Sequence, residues 1–351
     1  MMAGGSNERT MIRQRSEPSE AFLRSERAYV DLADERLGAI VVAASDEWYA
    51  PASRMLNPKA ANYYYHDDEG MRWVDGWETS RRRKAGNEWC VIRLGRPGQI
   101  TAVGFDTSFY TGNYPLAASV QACAVSADED IADAEWAELV PATELAGDSQ
   151  RLVSVNANRV FTHVRLNIFP DGGMARFRVF GLVQLPEAFN SAGQRDLAAL
   201  ENGARIVGCS DTHFGAVRAM ISPGPSVEWG KGWETRRLRK PGHDWAVIAL
   251  AAPGTLEHVL VDTSYYTGNF PAAFSLQGAC IENAPDEVVL NQAMYWPELV
   301  GRSNLKGGCQ NAVELSAAHR DTLVTHVRLN IYPDGGVTRL RILGAPGLVA
   351  R

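Results

Sequence analysis

The chain has 351 residues, 45% hydrophobic and 22% charged, enough for two cores of about 150 residues each. Its net charge of −6 comes with no basic cluster longer than Arg81-Arg82-Arg83-Lys84, which argues against nucleic acid or a membrane surface as a partner. Five cysteines without CxxC spacing argue against a disulfide framework or a structural zinc site and read as reduced, mostly buried thiols. The lack of any apolar run of about 18 residues leads us to expect a cytoplasmic protein.

In chain order, residues 1–36 begin with a Gly-, Ser-, Arg- and Glu-rich stretch without apolar periodicity and are expected to be a flexible segment. A β-rich unit then spans 37–181, with short apolar or alternating runs at Trp89–Leu94, Ile100–Phe105, Val160–Ile168 and Phe177–Gly181, each bounded by Gly, Pro or Asn. Residues 182–203 read as a linker with a short helix, 204–344 as a second β-rich unit and 345–351 as a tail.

The second unit repeats the first. Gly76-Trp77-Glu78-Thr79 returns unchanged as Gly232-Trp233-Glu234-Thr235, and the block Asp106 to Pro115, with Thr-Gly-Asn-aromatic-Pro at its end, returns as Asp262 to Pro271 with only Phe/Tyr exchanges. Thr162 to Gly173 returns as Thr325 to Gly336 with the single change of Phe169 to Tyr332. Repeats this long are duplicated domains, since solenoid units run to about 20–50 residues. Strand-rich copies of this size, with turn signals between strands, predict two tandem all-β sandwiches of jelly-roll type.

In His163-Val164-Arg165-Leu166-Asn167-Ile168 the period of two places His163, Arg165 and Asn167 on one face, and His326, Arg328 and Asn330 repeat that row. An outward solvated face gives the same alternation, but it supplies no reason for two drifting copies to keep every polar identity. Asp106, Thr107 and Asn113 and their counterparts Asp262, Thr263 and Asn269 carry donors and acceptors suited to an amide-like ligand. Glu78 followed by Arg81 and Arg83, and Glu234 followed by Arg236, Arg237 and Arg239, place carboxylate and guanidinium groups in one loop, either as a structural ion pair or as a fork for a ligand carboxylate. His213 and His243 stand where the first copy has Trp48 and Asn87, so titrating groups gather in copy two. No HExxH or HxH spacing marks a metal site, although His213, Asp211, His243 and Asp244 are candidates to converge on a divalent metal.

Taken in order and in duplicate, GWET followed by arginines, GHDW, DTSxxTGNxP and HVRLNIxPDGG resemble the allantoicase family over residues 37–344. That resemblance implies two galactose-binding-like β-sandwich repeats, a homo-oligomer, and hydrolysis of allantoate to ureidoglycolate and urea in allantoin and purine catabolism. On it, Glu234, His243 and His326 are the candidate acid/base residues. Arg237, Arg328, Asp262, Thr263, Asn269, Glu78, Arg81, Asp106, Asn113 and Arg165 are the candidates for binding allantoate. Copy one departs from the pattern at Ser80 and at Asn87-Glu88, so one site carried by copy two, or shared between copies, is expected over two equal ones. A lectin-like binding module stacking a sugar on Tyr110 and Tyr266, or a family member whose activity has decayed, is the alternative.

Overall fold

A computed structural model describes residues 10–14, 19–66, 71–126, 131–190, 193–225 and 232–347. Two compact units emerge, Asp31–Gln184 and Leu185–Arg351, with Met1–Glu26 assigned to the first and Arg27–Val30 to the second. Each is built on one eight-stranded sheet folded into a jelly-roll sandwich.

In repeat one the strands are β1 (Glu88–Asp106), β2 (Ala117–Cys123), β3 (Ala137–Glu144), β4 (Val160–Phe169) and β5 (Arg176–Val183), in the spatial order β5-β1-β4-β2-β3. Repeat two has β6 (Asp244–Asp262), β7 (Ala273–Ala279), β8 (Glu298–Asn304), β9 (Leu323–Tyr332) and β10 (Arg339–Pro346), in the order β10-β6-β9-β7-β8. The two runs read separately as Trp89–Leu94 and Ile100–Phe105 are halves of one strand. The first half of β1 pairs with β4 and with Ile40–Ala44, and the second half pairs with β5 and with Gln150–Ser154, so a single bent strand serves both layers. Gly98 lies at the bend, where a Cβ would stand 2.5 Å from the Leu182 carbonyl oxygen.

The alternation in β4 divides as its pattern predicts. Val164, Leu166 and Ile168 are buried in the core, as are Val327, Leu329 and Ile331 in β9. Each such side chain contributes about 1.5–3 kcal/mol by leaving water.

The structure differs from the sequence expectation at the ends of the repeats. Within 1–36, Thr10–Gln14 pairs with Asn62–His66, α1 (Glu20–Ala28) sets the Phe22 ring edge-on against Phe180 at 6.2 Å, and Leu32 and Ala33 are fully buried. The described part of this segment therefore belongs to the fold. Most of the expected linker belongs to repeat two, because Leu197, Ala198 and Leu200 are buried and Arg195–Asp196 pairs with Leu343–Gly344. The two segments are equivalent. Asp31 Oδ1 accepts the N–H groups of Ala33 (3.1 Å) and Val179 (2.9 Å), and Asp196 Oδ1 accepts those of Ala198 (3.1 Å) and Ile342 (3.0 Å). Of the tail, Ala345 and Pro346 complete β10, and 348–351 lie outside the described residues. Only Cys90 and Cys123 are buried, while Cys209 and Cys309 are half-buried and Cys280 is exposed.

Candidate active site

In repeat two the polar row of β9 forms the floor of a pocket. Residues directly opposite on antiparallel strands face the same way. Arg328 lies opposite Val247 on β6 and Gln277 on β7, and Gln277 lies opposite Glu298 on β8. One step along, Asn330 lies opposite Trp245 and Ser275. The sheet face thus carries two polar rungs, Val247-Arg328-Gln277-Glu298 and Trp245-Asn330-Ser275. Arg328, Gln277, Glu298, Asn330 and Ser275 of these rungs line a pocket of about 420 Å³ together with His243, Met294 and Tyr332.

Asn330, 3% exposed, organises this floor. Its Nδ2 donates to Ser275 Oγ (3.2 Å) and Gln277 Oε1 (3.0 Å), while its Oδ1 accepts from Arg328 Nε (2.9 Å). An arginine Nε only donates, so the amide orientation is fixed. His243 Nε2 lies 3.1 Å from the same oxygen and must therefore carry its proton, which leaves Nδ1 as the basic nitrogen of the neutral ring. Burial is the main influence lowering the His243 pKa, aided by the Arg328 and Arg302 charges and opposed by the Asn330 hydrogen bond and by Asp244. The imidazole is accordingly held neutral near pH 7. Arg328 stacks over Trp245 at 4.8 Å, and Tyr332 places its hydroxyl 3.0 Å from Ser275 Oγ and its ring 4.8 Å from that of His243.

Repeat one builds the same rungs, Val91-Arg165-Gln121-Glu138 and Trp89-Asn167-Ser119. Arg165 stacks over Trp89 at 4.5 Å, and Asn167 reaches Ser119 Oγ at 3.3 Å and Gln121 Oε1 at 3.4 Å. Asn87, at 3.5 Å from Asn167 Oδ1, replaces the imidazole.

A family model described as the allantoicase repeat matches residues 30–184 and again 195–347. The chain belongs to the allantoicase family. It is 49% identical over 321 residues to a probable allantoicase of Burkholderia pseudomallei, covering 91% of this chain and 95% of that one. It is 45% identical over 327 residues to a probable allantoicase of Pseudomonas aeruginosa, covering 92% and 97%. A solved allantoicase from Saccharomyces cerevisiae is 33% identical and superposes with a TM-score of 0.79 over 95% of this chain and all of that one.

The allantoicase repeats do not bring all the sequence candidates together. Of the three acid/base candidates, His243 alone lines the pocket. His326 lies further along β9, its Nδ1 2.8 Å from Thr325 Oγ1 and its ring 6.2 Å from that of Trp296, with burial first and Arg205 second lowering its pKa to about 4. Glu234 accepts a hydrogen bond from Asn269 Nδ2 at 2.6 Å, as Glu78 does from Asn113 Nδ2 at 2.7 Å. These pairs clip the Thr-Gly-Asn turn to the GWET strand, and neither pair lines the pocket. Burial raises the Glu78 pKa, with the Asn113 hydrogen bond opposing it.

Of the two readings of these loops, the ion pair of Glu78 or Glu234 with a following arginine is not formed among the described residues. Arg82 pairs with Glu88 and Arg236 with Asp211 (2.8 Å), whereas Arg81 and Arg237 are exposed. Asp106, Asp262 and Thr263 are buried and hydrogen-bonded within the fold. Asp106 accepts from Ser108 N and Gln150 Nε2, Asp262 accepts from Ser264 N, and Thr263 Oγ1 donates to the Lys306 carbonyl at 2.6 Å.

Tyr110 and Tyr266, each 1% exposed, are packed beneath Gly173 and Gly336 and offer no face to a sugar. The suggested metal group is also divided, since Asp211 is engaged by Arg236 and Asp244 by Ser210 Oγ (2.7 Å). Among the described residues no cluster of three or more His, Cys, Asp or Glu side chains could hold a metal ion.

Ser275, Gln277, Glu298 and Tyr332 were missed as site residues. The sequence does carry a signal for the first three. Ser119-Val120-Gln121 returns as Ser275-Leu276-Gln277, and Trp136-Ala137-Glu138-Leu139-Val140 returns as Trp296-Pro297-Glu298-Leu299-Val300.

Proposed function

We propose that this chain is an allantoicase, a hydrolase that converts allantoate and water to ureidoglycolate and urea, and that the pocket of repeat two is where it acts. His243, oriented through Asn330 on a floor of amide, hydroxyl and guanidinium groups, is the observation that supports this reading. Asn330 is spent within the floor and Gln277 Nε2 donates to the Met294 and Trp296 carbonyls, so Ser275 Oγ, the remaining lone pair of Gln277 Oε1 and the Glu298 carboxylate are the groups a ureido arm pairs with, and Arg328 offers charge to the carboxylate. His243 Nδ1 takes a proton from water as the water oxygen bonds to the central carbon. The bond from that carbon to one ureido nitrogen breaks, and the same proton passes to the departing nitrogen, giving neutral urea.

His243→Asn, the residue repeat one carries at this place, is expected to lower kcat for urea release by about 10²–10⁴-fold with folding intact. Full activity in that variant removes His243 from the chemistry. Assays before and after exhaustive chelation decide whether a divalent metal takes part. The homo-oligomer and the cytoplasmic location remain proposals alongside this one, the first read by light scattering and the second by fractionation. No helix among the described residues is long and apolar enough to cross a membrane.

A further inference from the structure

The two polar floors match residue for residue, but their surroundings differ: besides Met294, which stands where repeat one has Ala134, two residues lining the repeat-two pocket and a third stacked on one of them are changed. His243, Tyr332 and Arg302 stand where repeat one has Asn87, Phe169 and Ala142. They are far apart in sequence but converge on Tyr332. The His243 ring is 4.8 Å from the Tyr332 ring, and the Arg302 guanidinium lies over that ring at 4.4 Å. Drift without function scatters differences, whereas these three add an imidazole, a phenol and a cation to one spot.

Arg302 is exposed and forms no ion pair with any described carboxylate. Stacking on Tyr332 holds its planar fork in place at a low cost in side-chain freedom, leaving its N–H groups for a ligand. The floor beneath is suited to neutral ureido arms in both repeats. Only repeat two adds this second guanidinium, which suits a planar anion.

We infer that Arg302, seated on Tyr332, is the residue that selects a carboxylate-bearing ureide in repeat two, and that with His243 it sets repeat two apart from the matching floor of repeat one. This rests on the reading of that pocket as the allantoate site. A contact of this kind is made equally in the bound and reacting states, so its loss raises KM and leaves kcat nearly unchanged.

The test is steady-state urea release from allantoate by the full chain and by Arg302→Ala and Arg302→Lys, with thermal unfolding as a check on folding. The expected result is a KM raised about 10–100-fold in Arg302→Ala with kcat within about threefold, and an intermediate KM in Arg302→Lys, which keeps the charge and loses the fork. A KM within about twofold of the parent in Arg302→Ala, or a loss confined to kcat, overturns the inference. A parent chain that releases no urea from allantoate overturns the proposed function instead.

Discussion

His243 shows how much one hydrogen bond decides. Its asymmetry with Asn87 is visible in the sequence, but its protonation is not, because that depends on an Asn330 amide turned by Arg328 from the same strand. Since the proposed base must be neutral and its pKa is depressed, the rate is lost as pH falls through that depressed value. The pH profile of kcat/KM is therefore expected to show an acid limb below about 6.5, the ordinary histidine value. A limb at or above that value contradicts the assignment. Asp262 and Thr263 teach the opposite lesson. Their persistence in both copies is matched by a turn that engages the carboxylate with Ser264 N and the hydroxyl with the Lys306 carbonyl, which gives the backbone its own reason to keep them. Sequence identity between copies marks necessity without saying whether ligand or backbone imposes it.

At the level of elements, the period of two placed the polar row of β9 on one face. Strand order, which the pattern does not encode, decided which residues from β6, β7 and β8 extend that row into rungs. Further along β9, His326 lies near α2 (Asp286–Gln292), whose first residue is clamped by Arg205 through two bonds of 2.7 Å. Val289, Ala293 and Trp296 form a small core there with Val207 and Val247. His326 is neutral in the fold, with a pKa of about 4 against about 6.5 unfolded. Its contribution to stability is complete above the unfolded value and is lost as pH falls from about 6.5 through about 4. Denaturant midpoints measured across that window should fall, and His326→Gln should flatten the fall. An unchanged slope in the variant would assign it to other groups.

For the whole molecule, the duplication is the most legible feature, since three long blocks return nearly intact and the two folds follow. The ends of the repeats are less legible. Asp31-Leu32-Ala33 and Asp196-Leu197-Ala198 lie in short polar surroundings without periodicity, and their burial comes from docking onto strands distant in sequence. Asp196 is the tie in repeat two, accepting two N–H groups and lying 3.4 Å from Arg341. Asp196→Ala leaves those donors without their acceptor and is expected to destabilise the chain by about 1–3 kcal/mol, read as a lower denaturant midpoint. An unchanged midpoint would return that segment to the status of a linker.

The central strands carry one more consequence. His-Val-Arg-Leu-Asn-Ile is the same at 163–168 in β4 and at 326–331 in β9, and each copy lies between partners that present the same rungs. The emerging polypeptide therefore holds two interchangeable keys for two similar locks. Little in the keys themselves directs each to its own lock. Connectivity favours the assignment: Gln150–Ser154 pairs with β1 and only a few residues separate it from β4, so the nearby lock closes at a smaller entropic cost than the distant one.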